Sequence, residues 1–172
     1  VEQGDIRFAK ANEGTKFFVY LPASDKPLKS DIKKLKSPDI LDLPKANLLI
    51  MDDDPSIRET LKITLERTGF TVKETTNGKE TIHAYRNSLK SNTPFDLIIL
   101  DLTIPGGMGG KEVIMKLLDI NPEVKAIVSS GYSTDPVMSN PTEYGFQMAL
   151  AKPYSFKKLL EIINKILKRS ID

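Results

Sequence analysis

The chain has 172 residues, 40% hydrophobic and 28% charged, with a formal net charge of +2. That length holds one ordinary domain plus a tail, or two very small domains, and so even a charge balance gives no reason to expect nucleic acid or an anionic membrane as a partner. The absence of cysteine excludes disulfides and thiolate metal sites and fits a reducing, cytoplasmic setting.

In chain order, "DIRFAKA" and "TKFFVYL" read as two strands joined by "NEGT", a hairpin within Val1 to Leu21. Two strands alone bury too little to be stable. From Pro22 to Lys45 the chain carries four prolines among lysines and aspartates, which is linker chemistry, with one short helical turn expected in "SDIKKLK". No apolar run approaches a membrane span, and Val1 to Lys10 lacks a signal-peptide layout. The chain opens on Val1, as a piece of a longer protein would.

From Ala46 the rhythm changes. "NLLIM" is a buried-type strand. "DPSIRETLKITLERTG" is an amphipathic helix: Asp54 suits its N-cap, Pro55 its first turn and Gly69 its stop. "FTVKET" is a strand and "NGKETIHAYRNSLK" a helix. "FDLIIL" is the most apolar strand and is expected at the centre of the sheet. "GKEVIMKLLDI" is a helix, stopped by Asn121-Pro122, and "VKAIVSS" a strand. Pro141 limits the helix begun in "STDPVMSN" to a turn or two. "QMALA" is the last strand and "SFKKLLEIINKILKR" the last helix. Five strands alternating with helices predict an α/β fold: a doubly wound five-stranded parallel sheet with ligands at the carboxyl ends of the strands.

Those ends carry chemistry. Asp52, Asp53 and Asp54 follow the first strand of the sheet, Asp101 the third, Ser129, Ser130 and Gly131 the fourth, and Lys152 the fifth. Clustered carboxylates need a cation, or one of them takes a proton. A hard divalent ion, Mg²⁺ or Mn²⁺, suits an all-oxygen site. It would let an anionic phosphoryl group approach an aspartate nucleophile, with Lys152 and a serine hydroxyl meeting the phosphoryl oxygens.

An acidic pair after strand one, Asp after strand three, Ser after strand four and Lys-Pro after strand five together resemble the receiver domain of two-component response regulators, over roughly Ala46 to Ser170. The resemblance implies a (βα)5 flavodoxin-like fold with Asp101 as phosphoacceptor and Asp52 and Asp53 as the metal-binding pair. It also implies the Thr103 backbone carbonyl as a further metal ligand, Ser130 as the switch hydroxyl and Lys152 as the phosphoryl-binding lysine. Either Ser129 or Ser130 could fill the switch position; the spacing and the small Gly131 favour Ser130. "DLTIPGGMGGKE" and "VSSGYSTDPVM" are similar to receivers at the C-terminus of hybrid sensor histidine kinases. "NEGTKFFVYLPAS" resembles the last hairpin of a histidine-kinase ATPase domain, with Asn12 in place of the first glycine of a Gly-X-Gly-Thr-X-Phe pattern. The implied division is residues 1–24 as a hairpin remnant, 25–45 as linker and 46–172 as receiver. The implied partners are a phosphohistidine-bearing kinase domain, its own, and a histidine phosphotransfer protein.

Two departures matter. Ala149 stands where many receivers have Tyr or Phe, and Pro141 shortens the fourth helix. Both fit a receiver that relays phosphate better than one that drives an output domain, and none is expected after the last helix. The glycines of "PGGMGG" are expected to keep the rim beside Asp101 low and flexible. His83, the only histidine, reads as a surface or half-buried helix residue, and Tyr132 as a loop aromatic on the rim. The chain is thus expected to be a phosphoacceptor with at most slow autodephosphorylation, not a turnover enzyme. A competing enzymatic reading is a haloacid-dehalogenase-like phosphatase using Asp52-X-Asp54; it has no use for Asp101. A third is a degenerate receiver that only binds a partner.

Overall fold

The computed structural model describes residues 5–10, 14–21, 45–132 and 134–168. The chain divides into two units, Val1–Pro38 and Asp39–Asp172. The linker expected at 25–45, apart from Lys45, and the turn expected in "SDIKKLK" lie outside the described residues.

In the first unit, β1 (Asp5–Lys10) pairs antiparallel with β2 (Thr15–Tyr20), as the alternation predicts. Directly opposed residues share a face, so Ile6, Phe8, Phe17 and Val19 line one side. Arg7 lies on the other, with its guanidinium over the Tyr20 ring and its Nε donating to Asp5 at 2.6 Å.

The second unit is the predicted alternation. Its strands are β3 (Asn47–Met51), β4 (Thr71–Thr75), β5 (Leu97–Asp101), β6 (Ala126–Ser130) and β7 (Met148–Ala151). They form one parallel sheet in the order β4-β3-β5-β6-β7, with the fully buried β5 at its centre. The helices are α1 (Pro55–Glu66), α2 (Gly78–Lys90), α3 (Gly110–Ile120), α4 (Pro136–Ser139) and α5 (Phe156–Lys168). Asp54 caps α1, accepting from the Ser56 and Ile57 amides, and Asn77 caps α2. Asn140-Pro141 ends α4 after four residues; a 3₁₀ turn, Pro141–Tyr144, follows.

The pleat sorts the core into two layers. Leu48, Ile50, Ile99, Ile127 and Leu150 face α1 and α5. Leu49, Met51, Leu100 and Val128 face α2, α3 and α4. Each large side chain fully removed from water contributes about 2 kcal/mol, and this burial is what lets the sheet carry like charges at its end. The strand order reverses between β3 and β5, so a crevice opens at their carboxyl ends.

Candidate phosphoacceptor and metal site

Four of the predicted residues come from strand ends with the same pleat phase. Asp52 continues the phase of Leu48 and Ile50, and Asp101 that of Leu97 and Ile99. Lys152 continues the phase of Met148 and Leu150, so all three point toward the α1/α5 side of the crevice. Ser129 shares that phase and is the register partner of Asp101. Ser130, one residue on, lies in phase with Val128, on the side of Ala149.

Backbone bonds close the strand ends around the site. Asp52 N–H donates to Thr75 O at 3.3 Å, Leu102 N–H to Ser129 O at 2.9 Å, and Lys152 N–H to Ser130 O at 2.7 Å. The Lys152–Pro153 peptide is cis. Arg58, from the first turns of α1, donates through Nη1 to Asp52 O at 2.7 Å.

Asp52 is 3% exposed and Asp101 9%. Lys152 Nζ donates to Asp52 Oδ2 at 2.6 Å and to Asp101 Oδ2 at 2.8 Å. Asp52 Oδ1 accepts from Asp54 N–H, and Asp101 Oδ1 from Thr103 N–H at 3.3 Å. Thus one ammonium serves two buried carboxylates. Burial pushes the Asp101 carboxyl above its usual range; the Lys152 and Thr103 bonds pull it only part of the way back, and the Asp52 charge adds to the rise. Burial alone would lower Lys152, but its bonds to Asp101 and Asp52 outweigh that and hold the ammonium charged well into alkali.

Asp53 is exposed, yet one oxygen each from Asp52, Asp53 and Asp101 lie within 4.8 Å of one another. An all-oxygen, undercompensated acidic cluster fits a hard divalent cation that keeps part of its water shell.

The remaining predicted residues fall as follows. Asp54 is turned away as the cap of α1. Ser130 is 1% exposed, and its Oγ accepts from Tyr132 N–H at 3.0 Å, while the Tyr132 ring is 70% exposed on the rim. His83 is exposed on α2, bonded to Asn87 at 2.8 Å. The glycine-rich rim requires one correction. Gly106 has φ +65°, and a Cβ on Gly109 or Gly110 would collide with the backbone oxygens of Leu102 or Asp101. Close packing of α3 on β5 demands Gly109 and Gly110, and a left-handed backbone demands Gly106, rather than a need for a low rim; Gly107, whose Cβ would meet the Ile104 side chain at 3.1 Å, has neither constraint.

The sequence reading missed Arg58 and Tyr154. Tyr154 packs against the α1/α5 layer and lines a groove of about 550 Å³ beside Lys152, with Ile57, Thr60, Leu61 and Pro153. Its place two residues after Lys152 was the available signal.

The response regulator receiver domain family matches residues 48–164. Sensor kinase CckA of Brucella abortus is 27% identical over 172 residues, covering 94% of this chain; the chain spans only 17% of that protein. Chemotaxis protein CheY of Thermotoga maritima is 30% identical over 70% of this chain and 97% of its own length. Among solved structures, response regulator TrrA of Thermotoga maritima, in complex with Mg²⁺ and BeF, is 30% identical with a TM-score of 0.58, covering 71% of this chain and 99% of that one.

Proposed function

Because this chain belongs to the response regulator receiver domain family, we propose that it takes a phosphoryl group from a phosphohistidine onto Asp101. The observation that carries this reading is the shared ammonium: Lys152 Nζ sits between Asp52 and the buried Asp101, both within 2.8 Å. An Asp101 oxygen attacks phosphorus, the P–N bond breaks, and its electron pair returns to the histidine ring. Lys152 leaves the carboxylate for a phosphoryl oxygen, and the Ser130 hydroxyl turns toward another. Asp52, Asp53, Asp101 and the Thr103 carbonyl would hold Mg²⁺ or Mn²⁺, which supplies charge neutralisation between acceptor and incoming phosphoryl group. Ile57, Leu61 and Pro153 line a groove of about 550 Å³ beside Lys152, on the side from which a phosphohistidine-bearing partner would approach.

We further propose that the chain is the C-terminal part of a hybrid sensor histidine kinase, with residues 1–24 a remnant of its ATPase domain, 25–45 a linker and 46–172 the receiver. The CckA similarity supports this because it extends over 94% of the chain, beyond the receiver, and the β1–β2 ribbon has the expected hairpin pairing. The phosphate donor is then the parent's own kinase domain, and a histidine phosphotransfer protein the onward acceptor. The chain acts as a phosphoacceptor with slow hydrolysis rather than as a turnover enzyme, in the cytoplasm; among the described residues no helix is long and apolar enough to cross a membrane. The dehalogenase-like alternative is not favoured, since Asp54, its second aspartate, is engaged as a helix cap.

The test is exposure to acetyl phosphate and Mg²⁺ followed by intact mass and mapping of the adduct. One phosphoryl group on Asp101 is expected. Rapid multiple turnover dependent on Asp52, or no adduct even with a cognate kinase, would overturn the reading.

A further inference from the structure

Of the three acids that converge at the site, Asp53 alone is exposed. Lys152 fixes Asp52 and Asp101, whereas among the described residues the Asp53 carboxylate makes no hydrogen bond or ion pair. One of its oxygens nevertheless lies within 4.8 Å of one from each of the other two. Its direction is therefore set by the backbone on either side of it, and both flanking peptides are held. The Asp53–Asp54 peptide donates its N–H to Asp52 Oδ1 at 2.9 Å. The Asp52–Asp53 peptide offers its carbonyl to Arg58, whose Nη1 donates at 2.7 Å. The Arg58 N–H in turn donates to Asp54 O at 3.1 Å, the first bond of α1. Backbone and side chain of one residue thus strap the Asp52–Asp54 turn to the helix that follows it. Charge-assisted bonds are stronger than neutral ones, which suits a half-buried residue open to competing water. Electrostatically the arrangement is unfavourable: a permanent positive charge bonded to Asp52 opposes a second cation at the same acids. Any benefit to metal binding must come from geometry and outweigh that repulsion.

We propose that Arg58 is a positioning residue for the metal-binding pair: by holding the Asp52–Asp53 peptide it aims the Asp53 carboxylate at the point shared with Asp52 and Asp101. The inference rests on the reading of those acids as a divalent-cation site. Arg58 touches neither the ion nor the phosphoryl group; it acts through Asp53, as outer groups that orient metal ligands do. Released from Arg58, the peptide can rotate and the exposed Asp53 side chain swings into water, leaving Asp52 and Asp101 to meet the ion. Phosphoryl uptake then needs more metal, but proceeds as before once metal is bound.

The experiment compares the wild-type chain with Arg58→Met, Arg58→Lys, Asp53→Ala and the Asp53→Ala, Arg58→Met double variant. Mg²⁺ and Mn²⁺ affinities are measured by calorimetry without a phosphodonor, and phosphoryl uptake from acetyl phosphate is followed across Mg²⁺ concentrations. Arg58→Met keeps a helix-forming stem and removes donor and charge. It should weaken both ions by about tenfold, against the tightening that loss of a positive charge would bring by itself. In the Asp53→Ala background the same substitution should not weaken binding, because the group that Arg58 aims is gone. Arg58→Lys, which keeps the charge and a donor, should bind more tightly than Arg58→Met. Uptake by Arg58→Met should be slow at limiting Mg²⁺ and match wild type at saturating Mg²⁺. Equal or tighter binding in Arg58→Met, the same weakening on top of Asp53→Ala, Arg58→Lys no tighter than Arg58→Met, or uptake that stays slow at saturating Mg²⁺ would each overturn the inference. A wild type that binds neither ion removes the metal-site reading and this inference together; wild-type binding with an indifferent Arg58→Met removes the inference alone.

Discussion

Lys152 spans the carboxyl end of the sheet to reach Asp101, Nζ to Oδ2 at 2.8 Å, while holding Asp52 with the same ammonium at 2.6 Å. The oxygen proposed as phosphoacceptor is thus occupied by the group proposed to meet the phosphoryl group. A divalent cation bound at Asp52 and Asp101 would compete with this lysine. Lys152→Met should therefore bind Mg²⁺ more tightly than wild type, by about tenfold or 1.4 kcal/mol, even as phosphoryl uptake falls. Calorimetry decides; equal or weaker binding counts against competition.

Three carboxylates against one ammonium leave the site net negative. Mg²⁺ should relieve that repulsion and raise the melting temperature. At ten times its dissociation constant the gain is about 1.4 kcal/mol, or about 4 °C for a domain of this size. A melting curve indifferent to millimolar-order Mg²⁺ and to chelator would refute it.

Asp101 gives a pH signature. Its carboxyl titrates above the ordinary value of 3.8, chiefly through burial, so the folded state holds the proton more tightly than the unfolded chain. Stability from this group is present below the ordinary value and is lost as pH rises through the raised one. Lys152 is also raised, so its contribution persists through neutral pH and fades only above 10.5. Asp101→Asn should then melt higher than wild type at pH 7, and the gap should close as pH falls toward 3.8. A gap independent of pH would mean that burial of this charge carries no cost.

Asp54 and Asp53 should separate cleanly. Asp54 accepts from two amides of α1, so Asp54→Ala should cost about 1 kcal/mol in denaturant unfolding and leave Mg²⁺ affinity alone. Asp53→Ala should do the reverse. A shared phenotype would place both in one role.

Among the rim glycines, Gly109→Ala meets the Leu102 carbonyl, and Gly107→Ala only a side-chain methyl. The first should lose about 2 kcal/mol or more and the second under about 1 kcal/mol. Gly107→Val should slow phosphotransfer more than it destabilises. Equal unfolding midpoints for the two alanine variants would contradict the close approach of α3 to β5.

Much of this was legible beforehand, because the governing signals are local. Apolar runs gave the five strands, Asp54-Pro55 gave a capped helix, and Pro141 gave the brevity of α4. The residues Asp52, Asp101 and Lys152 were visible because each directly follows or closes a strand. What was not legible depends on three-dimensional neighbours. "PGGMGG" looks like one flexible patch, yet Gly109 is fixed by a carbonyl supplied by Leu102, and Gly106 by its own backbone angle. Tyr154 reads as one more residue of a loop until α1 is packed beside it. The sharing of Lys152 between two carboxylates arises from strands far apart in sequence.

The common pleat phase of Asp52, Asp101, Ser129 and Lys152 has a consequence for how such a chain can vary. A single residue inserted or deleted inside β3, β5, β6 or β7 would turn the side chain at that strand's end to the opposite layer. A two-residue change would keep the side but move it along the strand by about 6.6 Å, beyond reach of its partners. Length changes are therefore excluded from the strands and confined to the connections entering their amino ends, where the turns at Asn92 and Asn121 already lie. The reacting end of the sheet is held in phase, and the far end is where the chain can grow.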